Sequence, residues 1–151
     1  MTDTEENVLS REEIEAKIRQ IFAENPFMSK HYTLEEVHCG DATISLKTTL
    51  EEHGTYGDKV HGAVIAGLVS AVGYPASASV GAKVVTMHMA MSFIKSVAAG
   101  KTIYAHAVVS HRGRSTVALL VDIKDEDGVL LLEANTTMFV TEDIPGIPRK
   151  W

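Results

Sequence analysis

The sequence predicts an α+β fold in which one antiparallel sheet wraps around a single central hydrophobic helix. Three observations lead there. The stretch KVHGAVIAGLVSAVG lies in a run from Val60 to Ala82 that contains no Asp, Glu, Lys or Arg. A helix that is apolar all round must be surrounded by protein. Downstream, four period-two segments follow one another through short connections, which makes them antiparallel neighbours and leaves no crossover helices for a parallel sheet. The chain has 151 residues, 45% hydrophobic and 23% charged, enough for one domain with one sizeable core.

The elements follow in order. Residues 1–9 carry no periodic pattern and read as frayed. Ser10-Arg11-Glu12-Glu13 reads as a capping box, with Ser10 as N-cap and Glu13 at N3. Ile14, Ile18, Ile21 and Phe22 then recur at helical spacing, giving an amphipathic packing helix that ends near Pro26. A strand-like run covers Leu34–Cys39, and Gly40-Asp41 is the turn into a second strand in which Ala42, Ile44, Leu46 and Leu50 alternate with polar residues. The charge-free helix starts near Gly62 and is expected to end by Pro75. Gly67, Gly73, Pro75 and the serines of PASAS cut its apolar run well short of the ~20 residues a membrane span needs. Four strands complete the chain. In the first, Val85, Met87, Met89, Met91 and Phe93 alternate with Thr86, His88, Ala90 and Ser92, and the methionine side is expected to pack on the helix. The others run through Ile103–Val109, Val117–Ile123 and Leu130–Val140. The division is a tail and capping helix at 1–29, the sheet-and-helix domain at 30–142, and a tail at 143–151.

Composition narrows the functions. A net charge of -6 argues against a general nucleic-acid or anionic-membrane surface, but leaves room for a small basic pocket that holds one phosphorylated ligand. Cys39, the single cysteine, has no intrachain disulfide partner and no metal-ligand spacing around it. It reads as a structural thiol in a reducing cytoplasm. The acidic start MTDTEENVLSREE is unlike a signal or transit peptide, so the expected location is cytoplasmic. The seven histidines form no HxxxH or HxH pattern with nearby acids, and no metal is expected.

Two places carry chemistry. At a helix start the first N–H groups are unpaired and the macrodipole is positive, and a glycine there lets a carbonyl oxygen come close. Gly62 is therefore either such a donor or simply a tight entry to the helix. His61 beside it either positions the loop or acts as a general base. In HRGRST, residues 111–116, two arginines flank a glycine, which suits phosphate recognition by forked donors; a solvated basic turn is the alternative.

His61-Gly62-Ala63, the apolar helix, an alternating strand leading toward Gly100 and then HRGRST together resemble the hotdog fold. More narrowly, the layout over residues 30–140 resembles acyl-CoA thioesterases related to the phenylacetate-degradation and 4-hydroxybenzoyl-CoA enzymes. Their motif is His-Gly-Gly, and Ala63 replaces its second glycine. The resemblance implies that the Gly62 N–H polarises a thioester carbonyl. It implies that Arg112, Gly113, Arg114 and Ser115, with His111, contact the nucleotide phosphates of coenzyme A. Ala63, Thr86 and His88 are expected along the substrate, the side of Thr86 and His88 facing the acyl channel or a subunit seam. The substrate is an acyl-CoA, with no separate cofactor because coenzyme A is part of it. The protein is expected as a homodimer or homotetramer with its pocket at the dimer interface.

Two positions depart from the family. The carboxylate expected nine residues beyond His61 is Ser70, and the Asn or Gln expected six before it is Thr55. A serine loses its proton only with help from a base, and no Gly-x-Ser-x-Gly elbow surrounds Ser70. Ser70 is then a packing residue, a partner of Thr55 in orienting a water, an activated nucleophile, or a recognition hydroxyl. Glu51, Glu52 and His53 are candidate replacement acids or bases, or a solvated charged loop. The reading is hydrolysis of an acyl-CoA thioester. Its alternative is a non-hydrolytic acyl-CoA binder with a degenerate site. Hydratase chemistry, which also occurs on hotdog folds, lacks its Asp or Glu on this helix.

Overall fold

The computed structural model describes residues 9–151; the start expected to be frayed lies almost wholly outside them. Helix α1 (Arg11–Glu24) opens with the expected capping box, the Ser10 side chain accepting from the Glu13 N–H while Glu13 accepts from the Ser10 N–H. Asn25 ends α1 and caps a second short helix, α2 (Pro26–His31), with Pro26 in its first turn where the missing N–H costs nothing. The sheet begins with β1 (Thr33–His38) and β2 (Asp41–Lys47), joined at Gly40, whose φ of 85° suits glycine. Leu50 does not continue β2. Thr49 caps a four-residue helix, α3 (Leu50–His53), and Leu50 is left exposed.

The charge-free segment forms α4 (Gly62–Ala78). Ile65, Leu68, Val69 and Val72 are buried in the core, and burial of side chains of this kind contributes about 1.5–3 kcal/mol each. The helix passes through Pro75 rather than ending there. Pro75, Ala76, Ser77 and Ala78 are all buried, so packing outweighs the lost ladder hydrogen bond. Gly81 then turns the chain back at φ +79°, its carbonyl accepting from the Ile144 N–H at 2.9 Å.

Strands β3 (Ala82–Phe93), β4 (Thr102–Arg112), β5 (Thr116–Asp125) and β6 (Leu130–Asp143) complete a six-stranded sheet in the order β1-β2-β4-β5-β6-β3, antiparallel at every pairing. The sheet packs on α4, and one core runs through the described residues. Ile14 and Ile18 of α1 and Ile144 and Ile147 of the C-terminal segment are part of it. Trp151 closes that segment, its indole N–H donating to the Ser79 carbonyl at 2.6 Å.

One feature of β3 departs from strict alternation. Thr86 pairs with Met138 but His88 with Thr137, so Met87 is an extra residue in a β-bulge. Val84 and Thr86 face α4 before the bulge, and Met89, Met91 and Phe93 face that side after it, opposite the inward Thr136, Ala134 and Leu132. The expectation of one methionine side on the helix therefore holds only beyond the bulge. Val85 and Met87 lie on the other face with His88, and both are exposed.

Candidate active site

The start of α4 is held on two sides. The His61 N–H donates to the His53 carbonyl at 2.8 Å, and the Val60 N–H to the Val97 carbonyl at 3.0 Å. His61 is the N-cap, and its Nδ1 accepts from the Ala63 N–H at 2.9 Å. The Val64 N–H, and at longer range the Ile65 N–H, reach the His61 carbonyl. Among the described residues the Gly62 N–H has no acceptor. A neutral His61 ring whose Nδ1 accepts carries its proton on Nε2, which makes it a cap and positions the loop.

A strip of small residues leads from there down the open side of α4. Ala63, Ala66, Gly67 and Ser70 are spaced so that they share one helix face, and none is fully buried. Phe93 stands over one edge of the start, 3.5 Å from where a Gly62 Cβ would lie. Tyr32 stands over the other, its hydroxyl 3.6 Å from a Gly67 Cβ position. Burial raises the pKa of Tyr32 above its ordinary value, so it stays a neutral donor at physiological pH. Ser70 is two turns down, and its hydroxyl shares a 2.8 Å hydrogen bond with that of Thr86. No acidic side chain takes part in that contact.

The expected partner of Ser70 is elsewhere. Thr55 sits in the exposed turn before the helix, where its N–H donates to the Lys59 carbonyl. His88 lies on the far face of β3, beyond the bulge, away from Thr86 and Ser70. Of the three candidate acids and bases, Glu51 is exposed and does not line the cavity beside the helix start. Glu52 and His53 line an open cavity of about 310 Å³ with Tyr32, Ala63, Val64 and Gly67. His53 is buried rather than solvated, and its Nδ1 accepts from the Thr49 N–H at 2.9 Å. Its neutral form therefore presents Nε2–H, which lies 3.9 Å from the Glu52 carboxylate.

The HRGRST turn lies at the other end of α4. Arg112 is nearly buried and its fork is engaged inside the chain, with Asp143 at 2.7 Å, the Val80 carbonyl at 3.3 Å and the Gly113 carbonyl. The Gly113 N–H donates to the Thr116 carbonyl. His111, Arg114 and Ser115 are exposed. A helix of 17 residues spans about 25 Å, so a single chain does not bring this turn to Gly62.

Thr86 had been expected on the substrate, but its contact with Ser70 is hidden in the sequence by the bulge that follows it. Phe93 and Tyr32 were not anticipated at the site. Phe93 reads as one more apolar strand residue, and Tyr32 lies outside any periodic run.

An antiparallel sheet wrapped on one apolar helix is the architecture of the hotdog class of proteins. The chain belongs to the thioesterase superfamily, which matches residues 57–132. Solved structures agree on the fold. The PaaI protein of E. coli, from the phenylacetic acid degradation operon, is 17% identical with a TM-score of 0.78, covering 87% of this chain and 96% of that one. Zebra fish thioesterase superfamily member 2 is 22% identical with a TM-score of 0.72, covering 87% and 99%. A hypothetical thioesterase from Streptococcus pneumoniae, solved with coenzyme A, is 21% identical with a TM-score of 0.70, covering 89% and 99%. Variants of the latter replace an aspartate and, sixteen residues later, a threonine with alanine. No curated protein matches the sequence. No helix among the described residues is long and apolar enough to cross a membrane.

Proposed function

We propose that the protein hydrolyses acyl-CoA thioesters in a site completed by a second copy of the chain. The observation that carries this is the start of α4, where His61 caps Ala63 and leaves the Gly62 N–H free. That amide, at the positive end of the helix, would donate to the thioester carbonyl oxygen and stabilise the charge that gathers on it as water adds. The C–O bond forms at the carbonyl carbon, the C–S bond breaks, and the water's proton ends on the departing thiolate.

Ser70 and Thr86 are read as the pair that holds the water. They stand sixteen residues apart, the spacing of the aspartate and threonine altered in the Streptococcus pneumoniae variants. Serine supplies orientation but not the base strength of a carboxylate, so slow turnover is expected. Gly62 and Ser70 are eight residues apart on one helix, about 12 Å along its axis, too far for both to meet one thioester. Antiparallel pairing of β3 with β3 of a second copy would set the partner's helix start toward this chain's Ser70. It would also bring the partner's exposed Arg114 and Ser115 to the Gly62 end, where coenzyme A phosphates would lie.

The Ser70 position favours a second reading, a binder that holds acyl-CoA without cleaving it. Thiol release from a panel of acyl-CoAs separates the two. Turnover by the wild type, reduced about tenfold or more in Ser70→Ala, supports hydrolysis with the hydroxyl orienting water. Tight binding without turnover, together with activity gained in Ser70→Asp, identifies the binder. If no acyl-CoA binds, neither stands.

A further inference from the structure

One turn beyond Ser70 on α4, and one inward position before Thr86 on β3, the hydroxyl pair gives way to an apolar cavity. It has a volume of about 150 Å³, and Ile18, Ile21 and Phe22 of α1 face Tyr74 and Ala78 of α4 and Val84 of β3 across it. Tyr74 and Ala78 follow Ser70 at successive intervals of four, on the same side of the helix. Val84 precedes Thr86 by two and shares its face of the strand. The helix and the strand that hold the hydroxyl pair therefore both continue into the cavity walls.

Tyr74 brings a hydroxyl to the wall, and the other two polar neighbours are already engaged. Asn25 accepts the Met28 N–H as the cap of α2, and Lys83 pairs with Glu142 at 3.1 Å. An apolar cavity of about this size in an engineered protein core stays dry and takes up benzene. A void left beside a packed core weakens the fold, and Ile21 and Phe22 are only half-buried where they border this one.

We infer that this cavity receives the distal end of the acyl group, and that α1 is the stop that limits its size. The inference rests on the thioester reading of Gly62 and Ser70. The acyl groups that fit are uncharged and end in a compact apolar group, a short chain or a single ring. Longer straight chains meet Ile21 and Phe22.

Coenzyme A thioethers, which cannot be hydrolysed, test this apart from catalysis. Calorimetry of the wild type is expected to show S-hexyl-CoA bound about tenfold or more tighter than S-methyl-CoA, since each buried methylene contributes about 0.8 kcal/mol. Ile21→Trp, which fills the cavity, is expected to erase that preference while leaving S-methyl-CoA unchanged. Ile21→Ala, which enlarges it, is expected to move the best-bound thioether from hexyl toward octyl, and this holds the test open should the tryptophan variant fail to fold. The inference is overturned if the wild type shows no hexyl preference, if folded Ile21→Trp keeps it, or if Ile21→Ala leaves the ranking unchanged. Absence of binding by every thioether, S-methyl-CoA included, overturns the thioester reading itself and the inference with it.

Discussion

His61 Nδ1 accepts from the Ala63 N–H and thereby decides which amide of α4 is left over. Glycine at that amide keeps the approach open, because an added Cβ would sit 3.5 Å from the Phe93 ring and narrow the gap a thioester must enter. The contact is an ordinary van der Waals one, and Gly62 has no positive φ, so its backbone suits alanine. Gly62→Ala is therefore expected to melt no lower than the wild type while its thiol release falls about tenfold or more. Melting and turnover measured on the same preparation check this; full activity in the variant would remove Gly62 from the mechanism. Ser70 and Thr86 behave as a unit in the same sense, each hydroxyl the other's partner. A lone serine on an apolar helix gives no sign of that, because the strand that supplies its partner lies sixteen residues downstream.

Each element followed the sequence where one physical signal dominated. The capping box sets the start of α1, and the charge-free run sets α4 inside the sheet. The misreadings arose where a local signal met a competing tertiary one. Pro75 looks like a helix stop, yet the buried segment around it carries the helix on to Ala78. Leu50 completes an alternating pattern, yet Thr49 before it is a good N-cap and starts a helix instead. In β3 both phases of the alternation contain plausible inward residues, so the extra Met87 leaves no mark in the pattern. That bulge is what sends His88 away from the site that Thr86 joins. The turn between α4 and β3 is closed to substitution at its glycine. A Cβ on Gly81 would lie 2.4 Å from the Ile147 carbonyl oxygen, on a backbone at φ +79°. Gly81→Ala is expected to cost about 2 kcal/mol or more, from strain and clash together, read as a lowered urea midpoint.

On the scale of the whole molecule, β3 is an open edge among the described residues. Its exposed Val85, Met87 and Phe93 are large apolar groups beside unpaired backbone donors and acceptors, and such an edge pairs readily with another strand. The site reading needs that pairing, since Gly62 and the 112–115 turn sit at opposite ends of α4. Two charges on the edge, Met87→Glu with Ala90→Glu, are expected to yield a monomer by sedimentation and to abolish turnover at the same time. A monomer that kept its activity would show the site to be complete in one chain. The sequence made the fold legible through its hydrophobic pattern. It left the site half-read, because the contacts that define the site join residues far apart in the chain.

Trp151 carries a consequence of a spectroscopic kind. It is the only tryptophan in the chain, and its indole is hydrogen-bonded to the residue that caps the far end of α4. Its emission is thus a built-in optical probe of one latch, the C-terminal segment seated against the central helix. A red shift that precedes the loss of far-ultraviolet circular dichroism during denaturation would time the release of that latch separately from the collapse of the sheet.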